Sequence, residues 1–365
     1  MKKMSYVIAI GCCIAVVLLM LRKESFVHAG RISTQYSLPQ PTGTYAVGTT
    51  SRHLIDTSRH EYHSKSQDAH RELMIQLWYP AQIRGSEQKS SYAEPAVING
   101  LQEWINKAEQ IPFEELSHLF SLKSHALIEA PVALKQAKYP VLIFSPGFGG
   151  PVAMYTALLE ELASQGYIIL GINYPYVTDP VVFPDGRVIK ALEPLEDQIE
   201  RRKERAQEYQ TWMHDITFVI DQLMASGNSD PVYQTMDLNS IGVFGHSFGG
   251  AISLALCQSD NRIKAGADLD GKLQPWNEEH TLSVPFLFIV AEHSEKTLQP
   301  MKQLVNITIP RPEYVALMAA DHGSFTDLYL VTPWNALPKL DPVEGIQITR
   351  KLLVDFFGKH LKNTE

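Results

Sequence analysis

The residues best able to do chemistry in this chain are grouped in Ser240 to Ala251, which reads S-I-G-V-F-G-H-S-F-G-G-A. An apolar run, Ile241 to Phe244, leads into Gly245-His246-Ser247-Phe248-Gly249-Gly250, and a helix-like segment, Ala251 to Cys257, follows. That is G-x-S-x-G between a buried strand and a helix, the context in which the pattern has a mechanical meaning. A sharp strand-to-helix turn strains its central residue, and Gly245 and Gly249 remove the side chains that would clash there. Ser247 Oγ would then stand above a sheet, beside a helix N-terminus with free N–H groups. The chemistry is nucleophilic attack by a serine hydroxyl. A glycine-rich turn without chemistry is the bland alternative, but strand, helix and the extra Gly250 together point to a nucleophile.

A serine hydroxyl is weakly nucleophilic at neutral pH, so it needs a base, and the base needs an orienting acid. On sheets that carry this turn the chain order is serine, then acid, then histidine. Five histidines lie in or after the turn: His246, His280, His293, His322 and His360. His246 sits inside it and should point away from the serine and pack. His280 and His360 fall in polar surroundings, where a solvated surface is the default reading. His293 follows a strand end, but Glu292 and Glu295 beside it suit a surface turn equally well. His322, in Ala320-Asp321-His322-Gly323-Ser324-Phe325, comes directly after the last expected strand, where an imidazole can reach back over the sheet edge. It is the expected base. The acid is open at this stage. Asp268 and Asp270 close a strand in A-G-A-D-L-D-G, and alternation sends both to the same side. Asp270 is nearer the C-terminal loop, and Glu292 ends the following strand. Acyl transfer also needs two backbone N–H donors for the oxyanion. Phe248 would supply one. Phe148, in Ser145-Pro146-Gly147-Phe148-Gly149-Gly150, would supply the other.

The elements that must position these groups are legible from Tyr139 onward. Val141 to Phe144 and Tyr167 to Ile172 are continuous apolar runs, as expected of strands buried on both faces. Further strands are expected at Ala265 to Leu269, Pro285 to Ala291 and Tyr314 to Met318. Helices are expected at Val152 to Gln165, Thr211 to Ala225 and Val343 to Phe357. This alternation predicts an α/β protein with a mostly parallel, doubly wound sheet. Before it, Thr42 to Thr50 and Arg71 to Tyr79 read as an antiparallel hairpin, with Ser51 to His70 as a solvated loop. His53, His60, His63 and His70 lie in that loop at spacings that match no standard zinc site, and no metal is expected. About 85–130 reads as a helical insertion, with helix-like pieces at Val97 to Ala108 and Phe113 to Phe120. It would shape a substrate pocket or simply pack.

Composition sets the bounds. The chain has 365 residues, 45% of them hydrophobic, and a formal charge of −8. That balance builds a large core and offers no basic footprint for nucleic acid. Cys12 and Cys13 lie in an N-terminal apolar run, so Cys257 is left alone in the folded body and reads as core filling. Lys2 and Lys3 precede the apolar run Ser5 to Leu21, about 17 residues long, which suits a signal peptide or a short anchor. Val27-His28-Ala29 resembles a cleavage site, whereas Arg22, Lys23 and Glu24 favour an uncleaved anchor. Residues 1–29 are therefore expected to be a signal peptide or membrane anchor. Residues 30–365 would be one catalytic domain, secreted or held on the extracytoplasmic side. The apolar run and the insertion both permit membrane contact.

These motifs in combination resemble the platelet-activating-factor acetylhydrolase (plasma/type II) family. The resemblance rests on G-H-S-F-G-G at Gly245 to Gly250, F-S-P-G-F-G-G at Phe144 to Gly150, Leu269-Asp270 and D-H-G-S-F at Asp321 to Phe325. Phe183-Pro184-Asp185-Gly186-Arg187 and Trp78-Tyr79-Pro80 are similar to its bacterial members. The resemblance implies an α/β-hydrolase fold with nucleophile Ser247, acid Asp270, base His322 and oxyanion donors at the N–H groups of Phe148 and Phe248. It implies no cofactor, and short-acyl esters or the sn-2 acyl groups of phospholipids as substrates. Many members have histidine where this chain has Pro146, which bears on substrate choice more than on mechanism. A lipase, polyester hydrolase or peptidase on the same fold is the alternative, and a non-catalytic binding protein a more distant one.

Overall fold

The computed structural model describes residues 36–193, 195–225, 229–273, 282–308 and 311–362. The N-terminal segment 1–29 and His280 lie outside the described residues. Among those described, no helix is long and apolar enough to cross a membrane.

The chain opens with a hairpin of β1 (Ala46–His60) and β2 (His70–Ala81), paired antiparallel from Ala46 opposite Ala81 to His60 opposite His70. Ser51 to His60 is therefore strand, not loop. Its residues are polar because beyond Thr49 this part of β1 is paired, among the described residues, only with β2, as at the edge of a sheet. The four histidines do not converge: His53 Nε2 lies 2.6 Å from Glu72, and His63 Nε2 lies 2.7 Å from Glu208.

The insertion is only partly helical. β3 (Lys89–Ser91), α1 (Pro95–Glu109), a 3₁₀ segment (Phe113–Phe120) and β4 (Lys123–Ile128) follow one another, and both strands join the main sheet. Strands of three and six residues are too short to show a period. α1 buries Ile98, Leu101 and Ile105 while Trp104 stays half exposed. In the 3₁₀ segment a repeat of three residues buries Leu116 and Leu119, so Phe120 falls outside the buried face that an α-helical spacing had assigned it.

The central strands are β5 (Tyr139–Ser145), β6 (Ile168–Asn173), β9 (Met236–His246), β10 (Ile263–Leu269), β11 (Phe286–Val290) and β12 (Glu313–Ala316). A small ribbon, β7 (Val181–Val182) and β8 (Val188–Ile189), stands apart. The ten-stranded sheet runs β12-β11-β10-β9-β5-β6-β2-β1-β4-β3. Every pair from β12 to β6 is parallel, and β2 is antiparallel to both neighbours. The doubly wound sheet is as expected.

Period-two alternation divides its core. Leu142, Phe144 and Phe244 face α2 (Thr156–Ser164) and α7 (Pro342–Leu361), while Val141, Ile143 and Val243 face α3 (Gln198–Met224), α4 (Phe248–Ser259) and α5 (Glu295–Ile307). Each such side chain contributes about 1.5–3 kcal/mol on burial. A one-turn helix, α6 (Leu328–Val331), precedes α7. Two helices depart from the sequence reading. α3 starts thirteen residues early because its first turns are charged and carry no apolar stripe; Asp197 caps them by accepting from the N–H groups of Ile199 and Glu200. α5 was not anticipated, since Pro300 interrupts its pattern, yet Ser294 caps it and Leu298, Met301, Leu304 and Val305 are buried.

Candidate active site

The site stands at the C-terminal edge of the parallel strands. At the end of β9 the backbone of Ser247 takes φ 56° and ψ −116°, a conformation that costs on the order of 1–3 kcal/mol for a residue with a side chain. Close packing enforces it. A Cβ on Gly249 would lie 2.1 Å from the Ser145 carbonyl oxygen, and one on Gly245 would lie 2.4 Å from the backbone of Gly249. The Ser247 N–H donates to the Leu269 carbonyl at 2.9 Å, tying the turn to the end of β10. Phe248 opens α4, so its N–H has no intrahelical acceptor.

Asp270 follows β10 with φ 55°, which takes it out of the strand alternation. That corrects the expectation that Asp268 and Asp270 point the same way. Asp268 is buried, accepts the Gly271 N–H at 2.7 Å, and burial pushes its carboxyl well above the ordinary range. Asp270 turns instead to the loop after β12: its Oδ2 lies 2.6 Å from His322 Nδ1. Burial pushes the Asp270 carboxyl up, but the His322 imidazole, the Ala291 N–H and His293 outweigh it and hold it below the usual range.

Glu292, the rival acid, does not meet His322. Its Oε2 accepts the Ala319 N–H at 2.8 Å, so it braces the backbone that leads to the histidine. His322 itself opens a 3₁₀ turn, His322–Phe325, in which Asp321 and Ser324 cap each other reciprocally. Its side chain is 53% exposed, which leaves Nε2 open to a reactant.

Three further groups belong to this constellation. His293, left open between a strand-end position and a surface turn, places Nε2 2.7 Å from Asp270 Oδ1, so two imidazoles share one carboxylate. His246 is buried, as expected for a residue turned away from the serine; its ring centroid lies 4.4 Å from that of His322. Burial, seconded by the nearby His322, pushes the His246 imidazole down to about 3, so it is neutral. Its Nε2–H donates to the His322 carbonyl at 3.0 Å, and its Nδ1 accepts from the Tyr155 hydroxyl at 2.8 Å. Tyr155 in turn accepts the Gly147 N–H at 3.0 Å. One relay thus joins the Gly147–Gly149 loop to the His322 loop. Nothing in the local sequence marks Tyr155, which lies 91 residues from His246.

In that Gly147–Gly149 loop the Phe148 N–H has no acceptor among the described residues. The loop abuts the serine: a Cβ on Gly147 would lie 3.4 Å from the Ser247 Cβ. Just beyond it, Pro151 and Ala153 line a cavity of about 240 Å³ together with Tyr92, Ile98 and Phe120 of the insertion. Phe183 to Arg187, in the β7–β8 ribbon, plays a bracing part, with Arg187 forked onto Glu72 at 2.8 and 3.0 Å. Among the described residues no cluster of three or more acidic, cysteine or histidine side chains could hold a metal.

Comparison with known proteins agrees with this architecture. The family model for platelet-activating factor acetylhydrolase, isoform II, matches residues 30–175 and 196–365. Among curated relatives, the platelet-activating factor acetylhydrolase of Cavia porcellus is 23% identical over 89% of this chain and 78% of its own. That of Gallus gallus is 23% identical over 91% and 86%. A probable 1-alkyl-2-acetylglycerophosphocholine esterase of Arthroderma benhamiae is 24% identical over 86% and 73%. A ferulic acid esterase from Streptomyces cinnamoneus, an α/β-hydrolase fold, superposes with TM-score 0.73 at 26% identity, covering 89% of this chain and 93% of its own. The chain therefore has the α/β-hydrolase fold, is a carboxylic ester hydrolase, and belongs to the platelet-activating factor acetylhydrolase isoform II family.

Proposed function

We propose that the chain hydrolyses short-acyl esters, among them sn-2 acyl groups of phospholipids, through Ser247, His322 and Asp270 and an acyl-enzyme. Two observations carry this reading: the 2.6 Å contact between Asp270 and His322 Nδ1, and the strained turn that holds Ser247 at the end of β9. Asp270 holds the imidazole with its proton on Nδ1, leaving Nε2 to take the proton of Ser247 as Oγ attacks the ester carbonyl. The oxyanion that forms is met by the N–H groups of Phe148 and Phe248, each without an acceptor among the described residues. His322 then returns the proton to the departing alcohol, and water, activated by the same imidazole, releases the acyl group. Residues 30–365 act as one catalytic unit, and the N-terminal run exports the chain or holds it at the membrane on the extracytoplasmic side.

The likeness to a ferulic acid esterase favours, as a second reading, small esters that are not lipids. A 4-nitrophenyl ester series from acetate upward, run with Ser247→Ala, tests both. Rates that fall with acyl length and vanish in the variant support the first reading. Activity that survives Ser247→Ala would sink the mechanism.

A further inference from the structure

Arg205, on the third turn of α3, is set apart from the other arginines. Arg52, Arg59, Arg71, Arg187 and Arg262 all form ion pairs with carboxylates. Arg201, Arg311 and Arg350 donate to carbonyl or amide oxygens, and Arg84 and Arg202 are exposed. Among the described residues, Arg205 is the one arginine drawn out of solvent without a hydrogen-bond acceptor. Its guanidinium carbon lies 3.1 Å from the centroid of the Phe148 ring and 5.8 Å from that of Phe248. A carbon so close requires the guanidinium to lie flat over Phe148, which leaves its N–H edges directed outward, parallel to the ring. None of its nitrogens is sealed off, so these donors are within reach of a solute.

Nearby acids do not engage it. Glu204 and Glu208 act on it only through space, and the Glu208 carboxylate is held by Tyr62 and His63. Burial outweighs the through-space pull of Glu204 and Glu208 and depresses its pKa, so the cation is partly desolvated with no hydrogen-bonded acid among the described residues. Tyr209 and Trp212, one and two turns further along α3, continue the same stripe onto the Phe248 ring, with centroids at 6.1 and 5.1 Å. The stripe thus runs along the two phenylalanines whose N–H groups were assigned above to the oxyanion.

We propose that Arg205 is an anion-binding residue at the mouth of this site, and that the preferred substrates are esters bearing a carboxylate or phosphodiester near the scissile bond. The inference rests on the triad reading for the position of the scissile ester. The stacked guanidinium offers two parallel N–H groups that match such an oxyanion bidentately. A free cation at the rim would also draw anionic esters toward the serine.

Two matched pairs test it with the full chain: 4-acetoxybenzoate against its methyl ester, and an acetylated glycerol phosphodiester against triacetylglycerol. The readout is the anionic-to-neutral ratio of kcat/KM in the wild type, Arg205→Gln and Arg205→Lys. Arg205→Gln is expected to lower that ratio about tenfold in at least one pair, the factor for losing a charge-assisted hydrogen bond. Arg205→Lys, which keeps the charge and loses the fork, should fall between. The pair that responds tells carboxylate from phosphodiester. Ratios unmoved in both pairs, with neutral and anionic rates falling together, would mean that Arg205 only braces Phe148 and would overturn the proposal. Hydrolysis that persists in Ser247→Ala would refute the triad and leave the ratio to judge Arg205. Were none of the esters cleaved, calorimetric binding of 4-acetamidobenzoate and of the unacetylated phosphodiester decides: heat that disappears in Arg205→Gln supports the site, and heat unaffected or absent overturns it.

Discussion

Asp270→Asn removes one charge and almost no volume, and the hydrogen bonds around it dictate which way the new amide must face. Oδ1 receives the Ala291 N–H at 2.9 Å and His293 Nε2 at 2.7 Å, while Oδ2 faces His322 Nδ1 at 2.6 Å. An amide has one accepting and one donating end. The Ala291 N–H is backbone directly after β11 and cannot be reversed, so the amide oxygen must take the Oδ1 position. The NH₂ group then meets His322 Nδ1, which must accept, and the imidazole proton moves to Nε2. A histidine protonated there cannot take the proton of Ser247. The expected loss in kcat is about 10,000-fold, the effect of replacing a triad acid by its amide with geometry intact. That corresponds to about 5 kcal/mol of barrier. KM should change little, because Asp270 is buried behind the imidazole. The assay is saturation kinetics on 4-nitrophenyl acetate, with thermal unfolding alongside to show that the variant folds. Glu292→Gln is the control and should lose less than about tenfold, since Glu292 only accepts a backbone N–H from Ala319. Asp270→Asn within tenfold of wild type, or Glu292→Gln falling as far, would rule out Asp270 as the group that sets the His322 tautomer.

Three other outcomes follow from particular contacts. His293→Leu takes one donor from Asp270 and should lower kcat/KM about tenfold. The Asp270 carboxyl is held below its ordinary range, so its stabilisation exists above the unfolded value and is lost as pH falls through the folded one. With a donor gone, acid unfolding followed by circular dichroism should set in at higher pH; an unmoved midpoint would count against the contact. Tyr155→Phe leaves the Gly147 N–H and His246 Nδ1 without their partner and should cost about 1–3 kcal/mol in urea unfolding. A loss below a few tenths would show that the relay carries no stability. Glu160, on α2, is pushed up to about 7, by burial first, against the N–H groups of Ala126 and His125 that oppose it. Its folded value is raised, so stability is full below the unfolded value near 4.5 and falls by about 1.4 kcal/mol per pH unit up to about 7. Glu160→Gln should therefore gain on the wild type over that window and run parallel above it; parallel curves throughout would refute the shift.

What the sequence determined by itself was local. A serine between Gly245 and Gly249, with an apolar run before and a helix after, demands a sharp turn, because the clash those glycines avoid arises within a few residues of chain. The buried strands were equally plain, since a strand covered on both faces must be apolar at every position, as Val141 to Phe144 and Ile241 to Phe244 are. His322 could be placed after the last strand on the same grounds.

Contacts between distant residues were decided only by the tertiary structure. Sequence periodicity put Asp268 and Asp270 on one side and left Glu292 as a rival; a left-handed φ at Asp270 turned that carboxylate toward a histidine 52 residues away. For His293 a surface turn stood level with a strand-end position because its neighbours are acidic, and the turn after β11 lays it on Asp270. The far half of β1 read as loop because an unpaired edge asks for no apolar residue, and β3 and β4 were too short for a period to emerge. Alternation along a chain records which face is buried and says little about which side chains meet. That depends on turn angles and strand register, and these come into being only when the sheet assembles.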